Sequence, residues 1–194
     1  ITLTDTTLAS SVLNTLDGNT SGTINASTIN TLTGTAPELI TAYASSGISG
    51  LGNEAINVNS GSAHTSQVNA LAADTSAVVT ATISDGDMAT LAGLSETGNA
   101  YTITITDTSV AAAALNTLDG KTTVSINASI ITTLTGSVAD LNTAYAANGN
   151  GSISGLGNEA VTLSDTSVSA SVLNTLDGNT SGAINTVSIN TLTG

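Results

Sequence analysis

Two hydrophobic periods alternate along the chain. ITLTD at Ile1–Asp5, TITITD at Thr102–Asp107 and VTLSD at Val161–Asp165 put an apolar residue at every second position, with hydroxyls between. That is the two-residue period of a half-buried strand. The stretch after each strand changes period. In TSVSASVLNTLDG, Val168, Val172, Leu173 and Leu176 fall on one face of a short helix. Asp165 or the hydroxyls after it are placed to cap that helix, and Gly178 to take the left-handed conformation past its end. A second phrase repeats this in miniature, with a strand over Thr23–Ala26, then Ile29, Leu32 and Gly34. The third phrase, TAPELITAY, reads as helix. Thr35 is its cap, Pro37 sits near the first helical position, Glu38 favours the positive end, and Leu39, Ile40 and Tyr43 form the buried face.

These phrases recur. VLNTLDG stands at Val12–Gly18 and Val172–Gly178, with ALNTLDG at Ala114–Gly120, and the second phrase closes on TLTG at Gly34, Gly136 and Gly194. The third phrase, Ala36–Ala55, returns at Val138–Ala160 three residues longer. Aligning them divides the chain into residues 1–55, a degenerate copy at 56–102, a third at 103–160 and a partial fourth at 161–194. In the second copy NALAAD and ATLAG replace the usual endings. A chain that repeats itself this closely is expected to stack its units, with insertions confined to one place per unit. The sequence opens inside one phrase and closes at the end of another, so it reads as an excerpt of a longer protein.

Strand, short helix and strand again predict a repeat solenoid, in which one parallel sheet is covered by short helices. Leu16, Leu32, Leu71, Leu91, Leu118, Leu134, Leu176 and Leu192 are the expected core. An all-β parallel β-helix is the alternative, because Thr, Val, Ile and Asn are abundant. The glycine stops and helix-period spacing favour the α/β form. Phe and Trp are absent, and Tyr43, Tyr101 and Tyr145 are the only aromatic residues. Burial therefore rests on aliphatic side chains, which suit narrow repeated layers.

Tandem VLNTLDG(N/K)T followed by INASxINTLTG, a TAYA phrase and GISGLGNEA resembles the repeats of giant secreted or cell-surface proteins of marine bacteria. These include a picocyanobacterial type associated with swimming without flagella and similar proteins of magnetotactic cocci. The resemblance covers nearly the whole chain and departs most over Ile56–Thr102. It implies an extracellular or surface location and great length, and it implies no catalytic residue.

Charge narrows the partners. One Lys, no Arg and fourteen acidic residues give a formal charge of -13. Such a chain has nothing to displace counterions from nucleic acid or to bind an anionic membrane surface. No apolar run is long enough to insert in a bilayer. There is no Cys, so neither disulfides nor thiolate metal sites arise. His64 is the only imidazole and lies in the degenerate copy, a poor basis for a Ser-His-Asp triad or a zinc site. The chain is therefore expected not to be an enzyme and to need no cofactor.

Calcium is the one candidate ion, because hard cations take oxygen ligands. Asp5, Asp107 and Asp165 recur at strand ends, Asp17, Asp119 and Asp177 recur before glycine, and Asp85 and Asp87 form the densest local pair. The competing reading makes the first set helix caps and the second set turn residues. With no DxDxDG loop in the sequence, capping is favoured. Threonine rows at Thr2 and Thr4 and at Thr102, Thr104 and Thr106 resemble an ice-binding face, but lapse at Asn57 and Asn59. The expected role is structural: a segment of an extracellular filament or giant cell-surface protein that self-associates head to tail or laterally. A calcium-stiffened adhesin stalk is the runner-up, and an ice- or glycan-binding solenoid facing surface polysaccharide comes third.

Overall fold

The chain is a mixed α/β fold. Only the third alternating stretch, at Val161–Asp165, lies largely in a strand, while Ile1–Asp5 and Ile103–Asp107 carry only isolated bridges at Thr2 and Thr104. The computed structural model describes residues 1–194. Its first elements are β1 (Thr7–Ala9), α1 (Ser10–Gly18), β2 (Ile24–Asn25), β3 (Thr31–Gly34), α2 (Ala36–Ala44), β4 (Ile48–Ser49), β5 (Ala55–Val58) and α3 (Thr65–Asp74). Then come β6 (Val79–Thr82), α4 (Met88–Leu91), β7 (Ala100–Thr102), β8 (Ser109–Ala111), α5 (Ala112–Asp119), β9 (Ile126–Asn127) and β10 (Thr133–Gly136). The last are α6 (Val138–Asn150), β11 (Ile153–Ser154), β12 (Ala160–Leu163), β13 (Ser167–Ser169), α7 (Ala170–Asn179), β14 (Ile184–Asn185) and β15 (Thr191–Thr193). All strand pairs are parallel. Parallel pairing follows from connections that pass through a helix or a long corner before the next strand.

The chain forms two compact units, Ile1–Asp85 with Gly93–Thr102, and Gly86–Ala92 with Ile103–Gly194. In the first, β1, β3, β5, β6 and β7 make one sheet in that order, and β2 pairs with β4. Leu32 of β3 lies between Leu8 and Ile56, and α1, α2 and α3 pack side by side. Leu13, Ile24, Leu32, Leu39 and Leu71 are completely buried. In the second unit β8, β10, β12 and β14 form a sheet, β9 pairs with β11, and β13 with β15. Leu134 there lies between Val110 and Val161, repeating the arrangement around Leu32. Leu115, Ile126, Leu141, Ile153 and Leu176 are completely buried.

Several expectations need correction. One sheet was expected, but the strands fall into five, because the two short strands of a second phrase (β2 and β3, β9 and β10, β14 and β15) join different sheets. Among the expected core leucines, Leu71, Leu91, Leu118, Leu134 and Leu176 are buried with Leu32. Leu16 is only half-buried, since Leu13 takes the inward position of α1. Leu192 is 60% exposed because β15 has β13 on one side and nothing on the other.

The helix face is also shifted. Val168 belongs to β13, and Ser169, not Asp165, caps α7 through the Val172 amide. Val172 therefore points outward, 38% exposed, and Leu176 inward. Gly178 lies inside α7 without a positive φ, since the helix runs to Asn179 and ends through an extended Thr180. The third phrase behaves more nearly as read: Thr35 and Glu38 form a reciprocal capping box, and Pro37 is in the first turn. Its buried residues are Ala36, Leu39 and Ala42, whereas Ile40 and Tyr43 are half-buried.

Candidate functional site

The chemistry-bearing side chains gather where one phrase touches the next. A helix leaves its first amides without partners inside the helix. Here an aspartate about twenty residues or more further on supplies an acceptor. The amide of Thr65, first in α3, donates to Asp85 at 2.7 Å. The amide of Met88, first in α4, donates to Asp107 at 2.6 Å, and that of Val138, first in α6, donates to Asp165 at 2.7 Å. The residue before each aspartate adds a backbone bond: Ser84 to Ala63, Thr106 to Gly86 and Ser164 to Gly136, each 2.9 Å. Asp87 acts locally instead, accepting from the Thr90 amide at 2.9 Å. The Thr65 amide and then the His64 side chain hold the Asp85 carboxyl below the usual carboxylate range.

The aspartates before glycine join neighbouring phrases through hydroxyls. Asp17 accepts from Ser45 at 2.6 Å, and Asp119 from Ser152 at 2.9 Å. Three residues earlier, the Asn14 and Asn116 amides donate to the carbonyls of Glu38 and Asp140 in the adjacent helix, both at 2.9 Å. Asp177 and Asn174, their counterparts in α7, instead line an open cavity with Leu173, Ile184 and Thr186. Asp5 lies exposed at the start of the chain, its carbonyl accepting from the Thr28 hydroxyl at 3.1 Å.

No three acidic or histidine side chains come together in a group that could hold a metal ion. The eight aspartates are spread along successive turns, and most serve as acceptors for amides and hydroxyls. His64 meets the Asp85 carboxyl at 2.9 Å and the Ser84 hydroxyl at 3.1 Å, both through Nδ1. A proton relay from serine through imidazole to carboxylate needs the two partners on opposite ring nitrogens. This trio lacks that arrangement.

Sequence reasoning missed one constellation, a tyrosine bonded to a buried glutamate in each full copy of the third phrase. Glu54 and Glu159 are 1% and 0% exposed. The Tyr43 hydroxyl donates to Glu54, and the Tyr145 hydroxyl to Glu159 at 3.1 Å. The Gly52 and Gly157 amides donate to the same carboxyl groups at 2.9 Å, and the Thr75 and Thr180 hydroxyls bond the glutamate carbonyls. Burial pushes the Tyr145 hydroxyl up to about 12, with Glu159 adding to the rise, and it raises Tyr43 in the same way. The signal was present in the sequence: Tyr and Glu are kept in both copies although the three-residue insertion falls between them.

No protein-family model matches the chain, and neither a curated protein nor a solved structure is significantly similar to it. No helix is long and apolar enough to cross a membrane.

The capping aspartates make a direct prediction. Asp165→Ala deprives the first amide of α6 of its acceptor and is expected to cost about 0.5–2 kcal/mol in denaturant unfolding. Hydrogen exchange at Val138 should rise by more than exchange at Leu176. Equal protection at Val138 in variant and parent would refute the role assigned to Asp165.

Proposed function

We propose that the chain is a structural repeat segment of an extracellular filament or giant cell-surface protein, built as an α/β solenoid and without enzymatic activity. The observation that carries this reading is what the repeated residues do. Asn14 and Asn116, Asp17 and Asp119, and Asp85, Asp107 and Asp165 are spent on bonds from one phrase to the next. Residues kept for a pocket would converge on a common point. These instead recur at intervals, as parts that hold successive layers in register do.

Mechanically, each added unit extends the sheets and continues the core, so length grows with repeat number while the kinds of contact stay the same. Open sheet edges at the ends of such an array pair with further copies, which supports self-association as the means of forming fibres. The acidic surface keeps copies from aggregating without order, and salt screens that repulsion.

Electron microscopy of the purified chain, with calcium and with chelator, tests the proposal. Rods or fibres of uniform width in both conditions are the expected result. Elongated particles only with calcium would replace it with the calcium-stiffened stalk, and globular particles in both conditions would overturn the solenoid.

A further inference from the structure

α4 is the short member of the helix series. Its neighbours in sequence, α3 and α5, have ten and eight residues, whereas α4 has four. It also lacks the asparagine through which α1 and α5 bond the next helix, Asn14 to Glu38 and Asn116 to Asp140. Between α4 and α5 lies a cavity of about 130 Å³. Leu91 and Leu118, 0% and 3% exposed, form its floor, and Met88, Ala114, Thr117 and Lys121 line its walls. All of these residues belong to the second compact unit.

The repeated phrase changes at this place. VLNTLDGN stands at Val12–Asn19 and again at Val172–Asn179, but the copy beside the cavity reads ALNTLDGK, at Ala114–Lys121. It differs from the others at Ala114 and Lys121, and both line the cavity. Packing does not account for the alanine. A layer closing around a short helix would take a larger side chain beside the gap, because an unfilled space forfeits contacts. Alanine is smaller than the valine of the other copies. The second change places the only lysine of a chain without arginine in the same wall. A lysine lays its methylene stem along apolar neighbours and keeps its ammonium toward water, and Lys121 is half-buried.

We infer that this cavity binds a small carboxylate with an apolar body about as large as a benzene ring. An apolar cavity of roughly 150 Å³ stays dry and takes up benzene, which sets the size of the body. The leucine and alanine walls favour hydrocarbon, and the Met88 sulfur favours contact with an aromatic ring. Lys121 selects the sign of the head group, because an ammonium bonds a carboxylate more strongly than a neutral oxygen. The net charge of -13 repels anions at a distance, but salt screens that repulsion, so the pairing is decided at contact. The site adds a binding function to the structural array and holds equally for a filament and a stalk.

Benzoate is the probe, with benzyl alcohol and benzylamine as neutral and cationic controls. Titration of the 194-residue chain is followed by methyl NMR at Met88, Ala114 and Leu118. Benzoate is expected to give saturable shifts at these methyls and to bind more tightly than benzylamine. Ala114→Val and Lys121→Asn restore the residues of the other two copies, so both keep the fold, which an unchanged circular dichroism spectrum checks. Ala114→Val should weaken benzoate and benzyl alcohol alike, by about tenfold, as overpacking does. Lys121→Asn should weaken benzoate about threefold, as loss of a partly exposed ion pair does, and leave benzyl alcohol unchanged. Shifts that never saturate, or benzylamine bound as tightly as benzoate, would overturn the site. So would benzoate affinity that either variant leaves unchanged. Sedimentation velocity with and without benzoate tests the other occupant. Oligomers that benzoate dissolves would assign the cavity to a side chain of a second copy and overturn the free ligand.

Discussion

Replacing Glu159 with alanine is expected to destabilise the protein by on the order of 3 kcal/mol, since each buried polar group left without a partner costs roughly 1–3 kcal/mol. Glu159 is fully buried, and its carboxyl group is the acceptor for both the Tyr145 hydroxyl and the Gly157 amide. Truncation strands both donors away from water. The double variant Glu159→Leu with Tyr145→Phe should recover part of the loss, because it removes a donor along with the acceptor. Urea unfolding of the two single variants and the double variant measures this directly. Additive losses would mean that the pair does not act as a unit.

The same tyrosine sets an alkaline limit. Its hydroxyl is raised from 10.0 to about 12 in the folded chain, so the native state holds a proton that the unfolded state releases. Stability is then complete below about pH 10 and falls as pH rises toward 12. Tyr145→Phe should flatten that decline, with Tyr43 and Tyr101 contributing to what remains.

Gly155→Ala is the second large loss, expected at roughly 3 kcal/mol or more. Left-handed backbone alone costs a residue with a side chain about 1–2 kcal/mol, and Gly155 has φ +93°. A methyl group there would also lie 2.6 Å from Ser129 Cα and 2.7 Å from its backbone nitrogen. Backbone cannot swing aside as a side chain does, so either β11 moves away from β9 or the turn opens. Gly149 is the control. It lies within α6 with nothing within 4 Å of its added carbon, and alanine there should stabilise by about 0.5–1 kcal/mol. Thermal unfolding of the two variants should therefore shift in opposite directions. Equal melting temperatures would remove the close approach as a constraint on the fold.

What could be read in advance depended on how far each signal reaches. Thr35, Pro37 and Glu38 are adjacent to the helix they start, and their roles followed from local chemistry alone. The burial of Leu32 and Leu134 followed from repetition, but the TLTG segments, read as the glycine-stopped end of a miniature helix, are the strands β3 and β10. Asp165 was misplaced for a physical reason. It stands just before α7, yet its carboxyl group reaches back twenty-seven residues to the first amide of α6. Spacing in sequence cannot distinguish a cap for the next helix from one for the previous helix until the strands are in register.

The Tyr–Glu pair shows the opposite case. It lay in plain view in two copies, but Tyr43 was assigned to an apolar helix face and the glutamates were given no role. That assignment treated the tyrosine by its neighbours in sequence, while its bond to glutamate joins the two ends of the third phrase. The loss of Val172 from the expected buried face, while Val168 and Leu176 stay buried, has a similar origin. Three residues of strand precede the helix, and the helical period begins only at Ala170.

The extra residues of the third phrase have an evolutionary meaning. α2 has nine residues and α6 thirteen, yet Ile24 stays opposite Ile48, and Ile126 opposite Ile153. The surplus is taken up at the end of a helix, where Gly151 turns the chain back with φ +88°. Asp119 still finds a serine hydroxyl, now that of Ser152, as Asp17 finds that of Ser45. Duplication and slippage in a repetitive gene change lengths often. Here a mis-copied unit can grow at one helix end without displacing its neighbours, so such a gene can lengthen and diverge while each intermediate still folds.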